Sequence, residues 1–302
     1  MKTIKQFLLH TVLRLLALLS LSQAGALGRL IGTGLWWLNG RSRSVTEINV
    51  ALCLPEYSDA QRQQLARESL AHLGTLGLEL AGSWYWPSEK LLREVVEVQG
   101  LELMTAAQDS GQGVVVLAPH LGNWEVLGLY LARHYAVTAL YQPPALEALD
   151  HLIYSARSRN GSTLVPTNMR GVKALLKALG RGEVTVILPD QVPAKNGGEF
   201  APFFGIDTLT ATLPLNLIKR TGASVVVAAM LRLEGGGYRL LIRDVDQAIY
   251  GADRSAALVA MNTSVEALVR EAPQQYQWEY KRFRRLPAGR QQPYKTATSE
   301  CQ

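Results

Sequence analysis

The hydrophobic positions fall into two regimes. Over residues 4–38 they are nearly continuous, interrupted by Lys5, Arg14 and Arg29. Beyond residue 40 they become periodic. Ser58-Asp-Ala-Gln61 reads as a capping box, and Leu65, Leu70, Leu73, Leu76 and Leu80 carry the helix it opens to about Ala81. A short helix follows Ser88, and Val95–Val98 reads as a short strand. From about residue 100 apolar runs alternate with amphipathic segments. The pattern predicts helices over 101–109, 124–133, about 146–158, 170–179, about 211–220 and about 255–271. Between them it predicts strands at Gly113–Ala118, Val137–Tyr141, Thr163–Val165, Glu183–Leu188 and Ser224–Leu231. Gly235-Gly-Gly237 then turns the chain into Tyr238–Ile242, an antiparallel hairpin. Alternation of this kind specifies an α/β fold with a mixed, mostly parallel sheet flanked by helices. The expected organisation is an N-terminal membrane-anchoring helix over 1–40, one domain over 41–290 and a polar tail over 291–302.

The apolar N-terminus admits three readings: a cleaved signal peptide, a spanning helix, or a helix lying in the membrane interface. The charge-free run from Leu15 to Gly28 is shorter than the roughly 20 residues of an ideal span. Arg14 interrupts a signal-type apolar core, and Trp36 and Trp37 suit a membrane–water boundary. A retained anchor is therefore the expectation. Gly28 and Gly32 form a GxxxG spacing, which alone is weak evidence for helix pairing.

Composition narrows the class. In 302 residues, 48% are hydrophobic and 19% charged, enough for a sizeable core and too apolar for disorder. The net charge of +6 favours anionic partners, and Lys281, Arg282, Arg284, Arg285 and Arg290 concentrate it near the C-terminus. Cys53 and Cys301 are too few and too far apart for a disulfide framework or a zinc site. There is no GxSxG elbow, no HExxH and no phosphate-binding GxxxxGK[ST] loop. Basic and aromatic residues are not interleaved as single-stranded nucleic-acid binders require, so no nucleic-acid partner is expected.

In an open α/β sheet, sites form where strands end and helices begin. The strand over 113–118 runs into Pro119-His120-Leu-Gly-Asn-Trp-Glu125. His120 then stands at a strand mouth, Asn123 caps the next helix and Glu125 lies in its first turn. A carboxylate on one ring nitrogen leaves the other free to take a proton from a hydroxyl. His120 and Glu125 are thus the candidate catalytic pair. A His-x4-Glu spacing also arises by chance.

Here the sequence resembles a known family. Pro119–Glu125 is similar to the His-x4-Asp/Glu block of the bacterial lipid A biosynthesis (lauroyl/myristoyl-type) acyltransferases, within the wider glycerolipid acyltransferase superfamily. Asn49-Val-Ala-Leu-Cys-Leu-Pro55 resembles its early Asn…Cys-Phe-Pro stretch, with Leu54 for Phe. Tyr141-Gln-Pro-Pro144 with Ser155-Ala-Arg-Ser-Arg-Asn160 resembles its arginine block, and Leu188-Pro-Asp-Gln191 with Ala201-Pro-Phe-Phe-Gly205 its third. Ala272-Pro-Gln-Gln-Tyr-Gln-Trp278, then Arg282-Phe283, resembles its C-terminal signature. The resemblance runs from the apolar N-terminus to about Arg285. One departure stands out: Pro189-Asp-Gln-Val-Pro193 lacks the second acidic residue of the family's Pro-Asp-x-Asp-x-Gly, which bears on acceptor or acyl-chain preference.

The resemblance implies a single N-terminal membrane helix and a catalytic domain on the cytoplasmic side of the bacterial inner membrane. It also implies transfer of a fatty acyl chain from acyl carrier protein to a hydroxyl of a lipid A precursor. His120 would be the base and Glu125 its orienting partner, with no cofactor and no metal. Arg157, Arg159, Asp190 and Asn123 become candidate substrate contacts. Arg157 and Arg159 point in different directions on a helix, so at most one faces the site. Asp190 either orients an arginine or the acceptor, or caps a loop. Phe203 and Phe204 either line an acyl channel or belong to the core. Lys281, Arg282, Arg284 and Arg285 are expected to meet anionic headgroups or an acidic carrier protein. Other lipid acceptors, thioester hydrolysis and a non-enzymatic lipid-binding role are the alternatives.

Overall fold

The computed structural model describes residues 2–294. Cys301 and the tail beyond Tyr294 lie outside the described residues. The apolar N-terminus forms two helices, α1 (Lys2–Leu16) and α2 (Leu21–Trp37), where one was expected. Ser20 and Gln23 make a capping box that starts α2 afresh. The pair is bent by 117°, and no single helix among the described residues is long and apolar enough to cross a membrane. α3 (Arg41–Cys53) and the long α4 (Asp59–Tyr85) follow. The GxxxG spacing serves packing within the chain. A Cβ at Gly28 would stand 2.3 Å from the Cα of Thr75, and one at Gly32 2.3 Å from that of Ala71, so α2 lies directly on the backbone of α4.

The chain continues through α5 (Ser88–Arg93), β1 (Val95–Gln99), α6 (Leu101–Asp109), β2 (Val114–Leu117), α7 (Trp124–His134) and β3 (Val137–Tyr141). Next come α8 (Asp150–Ser158), β4 (Thr163–Pro166), α9 (Met169–Leu179) and β5 (Val184–Ile187). A hairpin, β6 (Gly198–Phe203) and β7 (Ile206–Ala211), precedes α10 (Leu213–Thr221). β8 (Ser224–Arg232), β9 (Tyr238–Arg243) and α11 (Arg254–Glu271) complete the fold.

The main sheet has the order β1-β9-β8-β2-β5-β3-β4. It is parallel from β8 to β4. β9 runs antiparallel to β8, with β1 parallel to β9. The mostly parallel, mixed sheet read from the sequence is therefore present. β2 lies between β8 and β5, and the chain leaves it for β3 on one side before returning to β8 on the other. That reversal opens a crevice at the carboxyl end of β2.

The continuous apolar run of β2 has a direct cause. Val115 and Leu117 enter the core layer beneath α9, α10 and α11, while Val114 and Val116 enter the layer beneath α6 and α7. All four are fully buried, as a strand covered on both faces requires.

Three expectations need correction. The hairpin β6–β7 occupies residues read as loop and as the start of a helix, so α10 begins at Leu213. Arg282 is 3% exposed and donates to the Leu209 carbonyl at 2.7 Å and the Thr210 hydroxyl at 3.1 Å. It locks β7 to the C-terminal segment and presents no charge to a membrane. Tyr294, assigned to the polar tail, is buried; its hydroxyl accepts from the Phe283 amide and donates to Asn49.

Candidate active site

The turn after β2 is pinned on both sides. The Gly122 amide donates to the Gln275 carbonyl at 3.1 Å and the Asn123 amide to the Met230 carbonyl at 2.8 Å. Gly122 has φ +65°, and a Cβ there would meet the Met230 oxygen at 2.0 Å, so only glycine fits. The amide of Gln277 donates to the His120 carbonyl at 3.1 Å. The segment after α11 thus lies along residues 120–122 as a short added edge and fixes His120 in place.

The imidazole of His120 does not meet Glu125. Its Nδ1 lies 2.9 Å from Oδ1 of Asp190, and its backbone amide donates to Oδ2 of the same carboxylate at 2.9 Å. Asp190 comes from the turn that follows β5, the neighbour of β2. Burial alone would push the Asp190 carboxyl up, but the charge of His120 and these hydrogen bonds hold it below the usual aspartate value. An ionised Asp190 accepts, so Nδ1 carries the proton and Nε2 keeps its lone pair. Trp124 packs edge-on against the ring at 4.9 Å between centroids and fixes its plane.

Glu125 is engaged elsewhere. Arg157 on α8 donates to it through Nε at 2.9 Å and Nη2 at 2.5 Å, a two-point pair with the carboxylate almost wholly buried. The Arg157 guanidinium also lies 5.7 Å from the centre of the Tyr141 ring. Burial works against the cation, but Glu125 prevails and holds its pKa above the usual arginine value. The pair ties α7 to α8 beside His120.

His120, Trp124, Glu125 and Arg157 stand along one groove of about 280 Å³. Its remaining walls include Leu129, Val137, Leu140, Leu164, Val186 and Leu188. The groove is lined mostly by apolar side chains, with a histidine and an ion pair in its wall. This is the composition of a site that holds a hydrocarbon beside a proton acceptor.

Two of the candidate contacts are structural. Arg159 donates to the Ser83 carbonyl at 2.9 Å, the Trp84 carbonyl at 3.3 Å and the Ser88 hydroxyl at 3.0 Å, closing the C-terminal end of α4. Of the two arginines, Arg157 lines the groove and Arg159 does not. Asn123 is fully buried; its oxygen accepts from the Val126 amide as the cap of α7, and its nitrogen lies 3.0 Å from Glu79. Neither reaches the groove. Phe203 and Phe204 are buried in an aromatic cluster with Tyr276 and Trp278 and belong to the core. Residue spacing gave no sign of Trp124 against the ring, nor that Asp190, 70 positions away, is the carboxylate bonded to it. No group of three or more His, Cys, Asp or Glu among the described residues is placed to hold a metal ion.

Comparison with known proteins identifies the family. The family described as bacterial lipid A biosynthesis acyltransferase matches residues 1–285. The lipid A biosynthesis palmitoleoyltransferase of Escherichia coli K12 is 29% identical over 257 residues, covering 84% of this chain and 82% of the relative. The lauroyltransferase of the same organism is 25% identical over 251 residues, covering 82% and 81%, and its myristoyltransferase 28% identical over 274, covering 89% and 82%. The chain belongs to the bacterial lipid A biosynthesis acyltransferase family and is an acyltransferase of that biosynthesis.

Proposed function

We propose that the protein transfers a fatty acyl chain from an acyl thioester, carried by acyl carrier protein, to a hydroxyl of a lipid A precursor, with His120 as general base. The observation that carries this reading is the His120 ring itself: Nδ1 is held by Asp190 and the residue lines a mostly apolar groove.

The hydroxyl proton passes to Nε2 as the oxygen attacks the thioester carbonyl. Asp190 holds the tautomer and stabilises the imidazolium. The tetrahedral oxyanion collapses, the carbon–sulfur bond breaks and the thiolate takes the proton back from Nε2. The transfer needs no covalent acyl-enzyme, no cofactor and no metal. Arg157, braced by Glu125, places a cation beside the reacting carbonyl or a phosphate of either substrate. Glu125 acts through Arg157, which replaces the direct His120–Glu125 contact expected from spacing.

The N-terminal helices fit a membrane surface. Phe7, Leu8, Val12, Leu15 and Leu18 of α1 and its exit, with Leu30, Ile31, Trp37 and Leu38 at α2, expose apolar side chains, while α2 rests on α4. A bent pair of this kind supports an anchor lying in the interface of the bacterial inner membrane, with the domain on the cytoplasmic side.

The test uses purified protein, acyl carrier protein charged with chains of several lengths, and an underacylated lipid A precursor in mixed micelles. A mass gain of one acyl chain on the precursor supports the reading. Loss of thioester without any acylated lipid, under conditions where the precursor is soluble, refutes it in favour of hydrolysis.

A further inference from the structure

Three carboxyls surround His120, and two of them are engaged. Asp190 holds Nδ1, and Glu125 is neutralised by Arg157. The third is Glu279. We infer that Glu279 is a positioning residue that shares a gap with His120 and stabilises the imidazolium formed when His120 takes the acceptor's proton. This rests on reading His120 as the base.

The geometry comes from the segment after α11. Gln277 is bonded through its amide to the His120 carbonyl, and the chain then delivers Glu279 two residues later. Glu279 lines one narrow gap with His120 and Trp124. Its Oε1 is wholly covered and has no hydrogen-bond partner among the described residues, and it joins none of their ion pairs. A covered carboxylate oxygen without a donor is costly, because nothing replaces its lost hydration. Here a cation arises during the reaction. Protonation of His120 creates a positive charge on the same gap, so the interaction is stronger in the charged state than at rest, as a catalytic contribution requires.

The other groups facing this gap do not take over the role. His72 on α4 has its pKa pulled down to about 4 by burial and by Arg232 and Arg29, so it is neutral at working pH. Arg232 on β8 is paired with Glu79 of α4 at 2.8 Å. Gln275 and Gln277 carry no charge. Tyr276, with its pKa driven up by burial and by Asp190, stays a neutral phenol. Asp190, Glu125 and Arg157 do not line this gap: Asp190 holds Nδ1 of His120, and Glu125 is paired with Arg157. Burial pushes the Glu279 carboxyl up, while its own backbone, the Gln277 side chain and the His120 charge pull it back.

The experiment follows the His120 imidazole by NMR in the full-length protein with labelled histidine, the signal assigned by its loss in His120→Ala. It needs no substrate, so it stands even if the acceptor is misidentified. Glu279→Gln should lower the imidazole's apparent pKa by about half a unit to one unit, the effect of removing a nearby negative charge. The acid limb of kcat/KM should move to lower pH by the same amount, and the plateau kcat should fall about five- to tenfold. Glu279→Leu, which also removes the negative charge, should give the same shift if the Gln variant folds poorly. An unmoved His120 titration in either folded variant overturns the inference, whether or not activity falls. A shifted titration in a protein that never acylates the precursor supports Glu279 and rejects the acceptor assignment instead.

Discussion

Replacing Asp190 by Asn keeps the side chain's shape and removes its charge. In the wild type one carboxylate accepts twice from His120, from the ring at 2.9 Å and from the backbone amide at 2.9 Å. An amide has one oxygen, so its NH2 group must face either the ring or the backbone amide. On the proposed mechanism, the ring contact becomes an ion pair when His120 takes the acceptor's proton. Hydrogen bonds to charged groups are worth about 1.5–3 kcal/mol. At about 1.36 kcal/mol per tenfold, kcat should fall roughly ten- to 150-fold. If the NH2 turns to the ring, Nδ1 must become the acceptor, Nε2 carries the proton, and the loss exceeds that range. The assay is single-turnover acyl transfer, with thermal melting to confirm folding. A second readout is pH. The native Asp190 carboxyl lies below its unfolded value of about 3.9, so its stabilisation is present above that pH and is lost as pH falls through the lower folded value. The Asn variant should lose this acid-dependent step. A folded Asp190→Asn protein within threefold of wild-type rate, alongside a Glu125→Gln protein with none, would return the ring's partnership to Glu125 and refute the reasoning.

Arg159→Ala removes donors to Ser83, Trp84 and Ser88 and should destabilise the fold by about 1–3 kcal/mol with KM unchanged, read by denaturant melts and steady-state kinetics. Gly32→Leu places a Cβ 2.3 Å from the Cα of Ala71, and overpacking of about 1–3 kcal/mol should lift α2 from α4, read by limited proteolysis between residues 20 and 58. Arg282→Gln should lower thermal stability while leaving salt-dependent binding to anionic vesicles intact, because Arg282 is enclosed by β7; Arg284→Gln, at an exposed position, should weaken that binding instead.

Much of this arrangement is legible in the chain because local physics dominates it. The run at 113–118 is apolar at every position since both faces of β2 are covered, and the turn after it puts His120 at the mouth. The capping box at Ser58 starts α4 one residue later. Elsewhere the deciding contacts are long-range. The break between α1 and α2 is signalled only by Ser20 and Gln23, easily lost inside an apolar run. The β6–β7 turn uses Phe204 at φ 49° beside Gly205, where Asn or Asp before glycine is the usual signal. Phe204 tolerates that backbone because its amide donates to Glu266 at 2.7 Å and its ring is buried. Which carboxylate meets His120 was beyond spacing, since Arg157 competes for Glu125 and β5 delivers Asp190.

The central claim is that His120 removes the acceptor's proton. The measurement that tests it most directly is single-turnover transfer from acyl carrier protein to an underacylated lipid A precursor, comparing wild type with His120→Ala while donor binding is followed separately. The expected result is a rate loss of roughly 100- to 10,000-fold with donor affinity within a few-fold of wild type, the contribution usual for a positioned general base. A folded His120→Ala protein that still acylates the precursor at near wild-type rate would contradict the account.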